Sequence, residues 1–89
     1  EVGGLQVYRD GYWYDIPTIE GAIVINTGDM MQVWSNDTYN APIHRVLAME
    51  SRERYSIPFF FNPAASCMVK PLPSMINAQN PSRYNGIEW

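Results

Sequence analysis

The sequence predicts an all-β segment with one short helix. Short stretches rich in β-branched and aromatic residues recur up to residue 61, and turn residues separate them. The strongest local signal is Asp10-Gly11, a two-residue turn pair between two such stretches, which predicts a β-hairpin. Short antiparallel strands at this spacing are typical of a sandwich, a barrel or a jelly roll, and five strands with open edges predict an incomplete one.

The predicted strands share a length of five to eight residues and cover positions 5–9, 12–16, 22–26, 42–49 and 54–61. Residues 22–26 form a continuous apolar run, which predicts a strand buried on both faces. The strands 42–49 and 54–61 are joined by the short polar turn 51–53, so we expect them to pair antiparallel. Pro58 lacks a backbone donor and predicts an edge position or a bulge in the last strand.

One helix is predicted after the capping signal Thr27-Gly28-Asp29. Met30, Met31 and Trp34 then lie at a spacing that suits a single helical face, and Asn36-Asp37 ends the helix. A strand that places Met31, Val33 and Ser35 on one face is the alternative. Residues 62–89 are rich in proline and asparagine and are predicted to be mostly loop.

The composition excludes several classes of protein. The 89 residues are 46% hydrophobic and 17% charged, which is too apolar for a disordered chain. The net charge of −3 and the scattered basic residues argue against nucleic acid and anionic membranes as partners. No apolar run is long enough to span a bilayer. The single cysteine, Cys67, favours a reducing compartment, so we expect a cytoplasmic protein with an inert thiol.

The ends of the sequence indicate an internal segment of a longer protein. The chain starts at Glu1 without a methionine and enters strand-like sequence within a few residues. It stops at the apolar residue Trp89, shortly after an Asn-Gly turn. Natural domain boundaries are usually polar and flexible, so we expect chain on both sides of this segment.

Arg54 and Ser56 form the first candidate site. On a strand, residues two apart point to the same face, so the two side chains lie together. A guanidinium group grips a carboxylate with two parallel hydrogen bonds, and a hydroxyl on the same face can donate a third. The pair therefore predicts a clamp for one end of a small anionic molecule. The alternative is a surface arginine beside an unremarkable serine.

His44 is the second candidate, because imidazole is a common ligand of iron, zinc and copper. If its strand pairs with that of Arg54, a metal at His44 and a carboxylate at Arg54 would bracket one bound acid. The alternative is a histidine satisfied in the core. Arg45 follows directly and is expected to face the opposite side, in a structural role or solvated.

The remaining candidates are weaker. Phe60 shares the face of Arg54 if Pro58 introduces no bulge, and it is a candidate for the wall of a substrate pocket, with core packing as the alternative. Tyr12, Trp13 and Tyr14 are expected to pack across the hairpin. No acidic residue stands in an H-x-D pattern, and there is one histidine, so no catalytic triad is predicted and no residue is assigned as catalytic.

The ordered series of motifs resembles the C-terminal half of the catalytic domain of iron(II)- and 2-oxoglutarate-dependent dioxygenases, in the isopenicillin N synthase-like branch. The stretches that carry the resemblance span nearly the whole chain: Gly4-Leu5-Gln6-Val7, Asp10-Gly11-Tyr12-Trp13, Ile25-Asn26-Thr27-Gly28-Asp29-Met30, Trp34-Ser35-Asn36, Ala41-Pro42-Ile43-His44-Arg45-Val46 and Arg54-Tyr55-Ser56-Ile57-Pro58-Phe59-Phe60. The resemblance implies an incomplete double-stranded β-helix of the jelly-roll type, with residues 1–89 as part of the catalytic domain.

The resemblance also implies roles for the candidate residues. His44 matches the family's distal iron ligand, and Arg54 and Ser56 match the pair that binds the distal carboxylate of 2-oxoglutarate. The other two ligands of iron(II) come from an H-x-D motif that this sequence lacks, so the remainder of the catalytic domain is expected upstream. The implied protein is an oxidoreductase that couples decarboxylation of 2-oxoglutarate and O2 activation to oxidation of a small organic substrate, and the chain alone is expected to be inactive. A metal-free binding module that uses only the clamp is the rival hypothesis.

Overall fold

The structure is a computed structural model that describes residues 2–48 and 51–89, and the chain divides into two units. The first unit comprises Glu1–Ile25 and Pro42–Phe59, and the second comprises Asn26–Ala41 and Phe60–Trp89. The elements follow in the order β1 (Leu5–Arg9), β2 (Tyr12–Asp15), α1 (Asp29–Trp34), β3 (His44–Val46), β4 (Met68–Val69), a 3-10 helix (Pro73–Met75) and β5 (Ile87–Glu88).

The predicted β-hairpin is confirmed in the first unit. β1 and β2 pair antiparallel with Arg9 opposite Tyr12, so Asp10 and Gly11 form a two-residue loop. Both loop residues have positive φ, 51° and 87°, as a type I′ turn requires. An aspartate followed by a glycine tolerates this backbone, which explains why the chain reverses at this point.

β3 lies on the other edge of β1, so β1 is the central strand of a three-stranded sheet with the order β2-β1-β3. The register places Val7 opposite His44 and Leu5 opposite Val46. Backbone hydrogen bonds flank these pairs, from Tyr8 N to the carbonyl of residue 43 at 2.8 Å and from residue 47 N to the carbonyl of Gly4 at 2.9 Å. Val7 and His44 therefore form a pair without mutual backbone hydrogen bonds, in which the side chains lie closest together.

The opposite face of the sheet carries a cluster of polar and aromatic side chains. Gln6 donates to Asp15 at 2.9 Å and accepts from Arg45 Nε at 2.8 Å. The guanidinium of Arg45 lies 3.9 Å from the ring centroid of Trp13, and that ring lies 5.2 Å from Tyr8. These cross-strand contacts fix the register of all three strands. They confirm that Arg45 has a structural role on the face opposite His44 and that Trp13 packs across the hairpin.

Two predicted strands are absent from the described residues. Residues 22–26 form no strand, and Ile23 and Ile25 are 85% and 84% exposed, so the prediction of a strand buried on both faces was wrong. Residues 54–61 also form no strand, and Ile57 is 98% exposed. Both runs have the composition of strands, but no described strand lies alongside either one to complete a hydrogen-bonded ladder.

The predicted pairing of 42–49 with 54–61 was also wrong, because β3 pairs with β1 instead. The observed strand spans His44–Val46 only, and Met49 lies outside the described residues. A short turn between two strand-like stretches favours a hairpin, but the sheet joins strands that are distant in sequence. The strand that carries His44 was therefore predicted from the sequence, but the strand that pairs with it was not.

In the second unit the predicted helix is confirmed as α1, and the alternative strand is not formed. Its N-cap is Gly28, which makes no side-chain capping bond, while the hydroxyl of Thr27 donates to the carbonyl of Asn40 at 2.8 Å. Asp29 places a negative charge in the first turn, where it suits the helix dipole. Asn36 and Asp37, at φ 51° and 67°, end the helix in the left-handed region that these residue types tolerate.

The second unit is built around a buried asparagine. Asn36 is fully buried, donates to the carbonyls of Asn80 and Pro81 at 3.2 and 3.0 Å, and accepts from Arg83 N at 2.8 Å. Val33 and Val69 form the buried apolar part of this unit. A single polar side chain thus connects the end of α1 to residues 80–83, with each of its groups hydrogen-bonded.

Residues 62–89 contain two short strands and a 3-10 helix among their loops. β4 and β5 form an antiparallel ribbon in which Val69, fully buried, lies opposite Ile87. Leu72 N donates to the carbonyl of Trp34 at 3.0 Å, which anchors this region to the end of α1. In the part of the chain that the structure describes, no helix is long and apolar enough to cross a membrane.

We expect Asn36→Ala to destabilise the protein by roughly 2–4 kcal/mol, because it removes three hydrogen bonds made by a fully buried side chain, each worth about 1 kcal/mol. Asn85→Ala is the matched control, because Asn85 is exposed. Urea unfolding followed by circular dichroism measures the difference. Equal midpoints for the two variants would contradict the role of the buried asparagine.

The Tyr84 hydroxyl donates to the carboxylate of Asp37 and accepts from Gln32 at 3.2 Å. The bond to Asp37 raises the pKa of Tyr84 above its ordinary value of 10.0. Since the folded pKa is the higher one, this stabilisation is fully present below pH 10 and is lost as the pH rises through the folded pKa. Tyr84→Phe should therefore lose less stability than the wild type above pH 10. Urea unfolding of the two proteins at a series of pH values on both sides of pH 10 measures the difference.

Candidate functional site

The side chain of His44 is held in one orientation by its own strand. Nδ1 lies 3.1 Å from the carbonyl oxygen of Pro42. A carbonyl can only accept, so Nδ1 carries the proton of this hydrogen bond and the lone pair of the neutral ring is on Nε2. His44 is exposed, on the face that it shares with Val7 and Val46. This is the arrangement of a metal-ligating histidine, whose second nitrogen commonly donates to a backbone carbonyl.

The described residues offer a metal one candidate ligand, the imidazole of His44. They contain no group of three or more histidine, cysteine, aspartate or glutamate side chains placed to hold a metal ion. His44 therefore fits a metal as a single ligand, and a stable site requires further ligands from elsewhere.

Arg54 lies in the same unit and is anchored to the start of β1. Its Nε donates to the carbonyl of Gly3 at 3.0 Å, and the side chain is half-buried. It lines a cavity of about 310 Å³ whose other described walls are mostly apolar. The lining includes Leu5, Ile16, Ile19, Ile23 and Val24. Arg54 is the one charged side chain among the described lining residues, and this arrangement suits the binding of a carboxylate on a mainly apolar small molecule.

Ser56 and Phe60 are placed differently. Ser56 is exposed and is not among the described residues that line this cavity. Its neighbour Tyr55 does line the cavity, and its hydroxyl donates to Glu53 at 2.6 Å, which raises the pKa of Tyr55. Phe60 belongs to the second unit and is 76% exposed. The structure thus brings Arg54 to the cavity and does not bring Ser56 beside it.

His44 and Arg54 both depend on β1, not on two strands paired with each other. His44 lies opposite Val7, and the guanidinium of Arg54 contacts Gly3, four positions earlier. His44 is thus positioned by β1 itself, and Arg54 by the residue pair that precedes β1.

A second cavity, of about 410 Å³, lies in the second unit and has polar walls. Its two described charged side chains, Asp37 and Arg83, lie 3.5 Å apart. Because each neutralises the other, this cavity is a poorer site for a carboxylate than the one lined by Arg54.

Two features of the cavity were not predicted from the sequence: the carbonyl of Gly3 as the partner of Arg54, and residues 16–19 and 22–24 as walls. A Gly-Gly pair directly before a strand was the available signal for the first. For the second, the apolar run was recognised but was assigned to a buried strand, although in the structure Ile23 and Val24 line the cavity.

A model of the 2OG-Fe(II) oxygenase superfamily matches residues 1–63 of the chain. The chain is 38% identical over 84 residues to flavonol synthase/flavanone 3-hydroxylase of Eustoma exaltatum subsp. russellianum, with 94% of this chain and 25% of that protein covered. It is 40% identical over 78 residues to 1-aminocyclopropane-1-carboxylate oxidase 1 of Oryza sativa subsp. japonica, with 88% and 24% covered. The chain thus spans about a quarter of the length of these curated relatives.

Solved structures agree with these relatives. The crystal structure of JOX2 in complex with 2OG, Fe and JA superposes with a TM-score of 0.91 at 35% identity, covering 99% of this chain and 26% of that one. A 2OG-Fe(II) oxygenase family protein from Caulobacter crescentus gives a TM-score of 0.84 at 38% identity, with 97% and 30% covered. Sequence and structure comparisons therefore point to the same kind of protein.

We expect nitrogen-15 NMR of the neutral His44 ring to show the proton on Nδ1 and the lone pair on Nε2, because the carbonyl of Pro42 fixes this tautomer. Two-bond proton–nitrogen correlations distinguish the tautomers directly. A ring with its proton on Nε2 would contradict the assignment of Nε2 as the metal-binding atom.

Proposed function

Because the chain belongs to the 2OG-Fe(II) oxygenase superfamily, we propose that it supplies one iron ligand and the cosubstrate clamp of a dioxygenase. The resemblance predicted from the sequence is confirmed by this membership and by the relatives of the isopenicillin N synthase-like branch. The fold class, an all-β jelly-roll segment with one short helix, is confirmed by the observed elements and by the oxygenase structures. The proposed protein couples decarboxylation of 2-oxoglutarate, with O2, to oxidation of a small organic substrate.

The observation that carries this proposal is the position of Arg54. It is a guanidinium group in a mainly apolar cavity, with its Nε already bound to a backbone carbonyl. The structure gives its two terminal Nη groups no hydrogen-bond partner among the described residues. A carboxylate supplies two parallel acceptors at the spacing of those groups, so the distal end of a dicarboxylic acid satisfies them together.

His44 is proposed as the iron ligand, through Nε2. Bound iron(II) supplies the oxygen-activating redox chemistry, while the residues of this chain bind and orient. The hydrogen bond from Nδ1 to the carbonyl of Pro42 holds the ring in its ligating tautomer and makes Nε2 a stronger metal ligand. The other protein ligands are proposed to come from the remainder of the catalytic domain.

Ser56 and Phe60 stay in the proposal with narrower roles. Ser56 is proposed to donate a further hydrogen bond to the carboxylate that Arg54 holds, and family membership is the support for this role, since residues 54–61 form no strand and Ser56 does not line the cavity. Phe60 is proposed to line the pocket for the organic substrate. Residues 1–89 are proposed to be part of the catalytic domain, with residues 62–89 as its mostly looped end.

The organic substrate differs among the relatives. Proteins named as flavonol synthase, 1-aminocyclopropane-1-carboxylate oxidase and gibberellin 3-beta-dioxygenase match this chain at 38%, 40% and 32% identity. The match to this segment therefore does not select one organic substrate.

The rival hypothesis, a metal-free binding module that uses the same clamp, is not favoured by the family match. We propose neither nucleic acid nor membrane as a partner, which the net charge of −3 supports. We propose a cytoplasmic location on the single free cysteine, Cys67.

Arg54→Lys is expected to weaken 2-oxoglutarate binding by roughly 2–5 kcal/mol, because lysine keeps the charge and loses the planar fork. Ser56→Ala should cost about 1 kcal/mol, the contribution of one neutral donor. Steady-state kinetics of the intact enzyme, with 2-oxoglutarate and the organic substrate varied separately, measures both effects.

The control is Arg52→Lys, the same change at an exposed arginine, which should leave both apparent affinities unaltered. If Arg54→Lys changed the affinity for the organic substrate and left that for 2-oxoglutarate intact, Arg54 would face the substrate and the proposed clamp would be wrong.

A further inference from the structure

We propose that Gly4 is a positioning residue for Arg54, because its backbone conformation aims the carbonyl of Gly3 at the guanidinium group. The inference rests on the proposed function and adds to it both a residue outside the Arg-x-Ser motif and a binding mode for the carboxylate. Gly3, Gly4 and Arg54 all lie in the first unit.

The geometry follows from the peptide group that joins residues 3 and 4. Its carbonyl oxygen belongs to Gly3, and its orientation relative to β1 is set by the φ angle of Gly4, since rotation about that bond turns the whole planar unit. Gly4 has φ +105°, and Arg54 Nε donates to the Gly3 carbonyl at 3.0 Å. The next carbonyl, of Gly4 itself, accepts from Leu47 N at 2.9 Å and anchors β1 to the segment that follows β3.

Glycine is required at position 4 by its backbone conformation. An L side chain rarely adopts φ +105°, so any other residue strains the backbone there or rotates the peptide group. A Cβ atom built on Gly4 would make only ordinary contacts, 3.4 Å from the carbonyl oxygen of Leu47 and 3.9 Å from Arg54 Nε. A side chain at this position would therefore add strain beside the guanidinium without a clash severe enough to prevent folding.

The contact determines how a carboxylate can approach. Arginine can bind a carboxylate side-on, through Nε and one Nη, or end-on, through both Nη groups. Because Nε donates to Gly3, the side-on mode is occupied, and the end-on pair remains for a carboxylate in the cavity that Arg54 lines. The same hydrogen bond restricts the long arginine side chain before the ligand arrives, which lowers the entropy lost on binding.

The test compares Gly4→Ala with Gly11→Ala in the intact protein. Gly11 has a similarly unusual φ, +87°, but open space around it, so alanine there imposes comparable strain away from Arg54. Calorimetry of 2-oxoglutarate binding, with manganese(II) in place of iron, should give about three- to tenfold weaker binding for Gly4→Ala, the cost of ordering one long side chain on binding. Gly11→Ala should bind as the wild type does.

The second probe is 2-oxobutyrate, a 2-oxo acid without a distal carboxylate. Its binding should be equal in the wild type and in Gly4→Ala, because the affected contact is to the missing group. Equal losses for both acids, or equal 2-oxoglutarate affinity in the two alanine variants, would show that Gly4 acts only through general stability and would overturn the inference.

The hydrogen bond itself can be observed in the wild type. With nitrogen-15 labelled arginine, the Nε–H of Arg54, assigned by its loss in Arg54→Lys, should exchange with water more slowly than that of the exposed Arg52. Equally fast exchange would overturn the inference even if the variants failed to fold. If the proposed function were wrong, Arg54→Lys itself would leave 2-oxoglutarate binding unchanged. That result distinguishes a wrong function from a wrong role for Gly4.

Discussion

The backbone of β1 is the constraint on which the candidate site depends. Its two edges are used by β2 and β3, so it fixes His44 through the register that sets Val7 opposite it. The residue pair that precedes it contacts Arg54 through the carbonyl of Gly3. The proposed metal ligand and the proposed carboxylate clamp are therefore both positioned by β1 and the residues directly before it. A shift of β3 by one residue relative to β1 would turn His44 to the other face.

One face of the sheet carries the contacts that stabilise it, and the other face carries His44. One face is held by the chain of contacts from Asp15 through Gln6 to Arg45 and Trp13. Each of these is a surface interaction of modest strength, but together they are compatible with one register of the three strands. His44 lies on the other face, which takes no part in these contacts. The second unit relies instead on one fully buried and fully satisfied asparagine, Asn36.

The chemistry of the clamp follows from partial burial. A half-buried guanidinium group has lost part of its hydration, and one of its donors, Nε, is satisfied by the carbonyl of Gly3. In partly apolar surroundings a guanidinium group interacts with a carboxylate more strongly than it would in water. The proposed site would bind an anion with preformed geometry, and the positive φ of Gly4, which glycine adopts without strain, permits that geometry.

Local rules determined the parts of this protein whose partners are near in sequence. Asp10-Gly11 fixed the hairpin, Asn36-Asp37 ended the helix, and alternation along β3 separated His44 from Arg45, because each depends on backbone preferences within a few residues. The motif series likewise identified the family. Tertiary structure alone decided that β3 pairs with β1, that residues 22–26 and 54–61 form no strands, and that Arg54 binds Gly3. Strand propensity is a property of one stretch of sequence, whereas a hydrogen-bonded ladder needs a second strand. That second strand is selected by contacts between residues that are far apart in sequence.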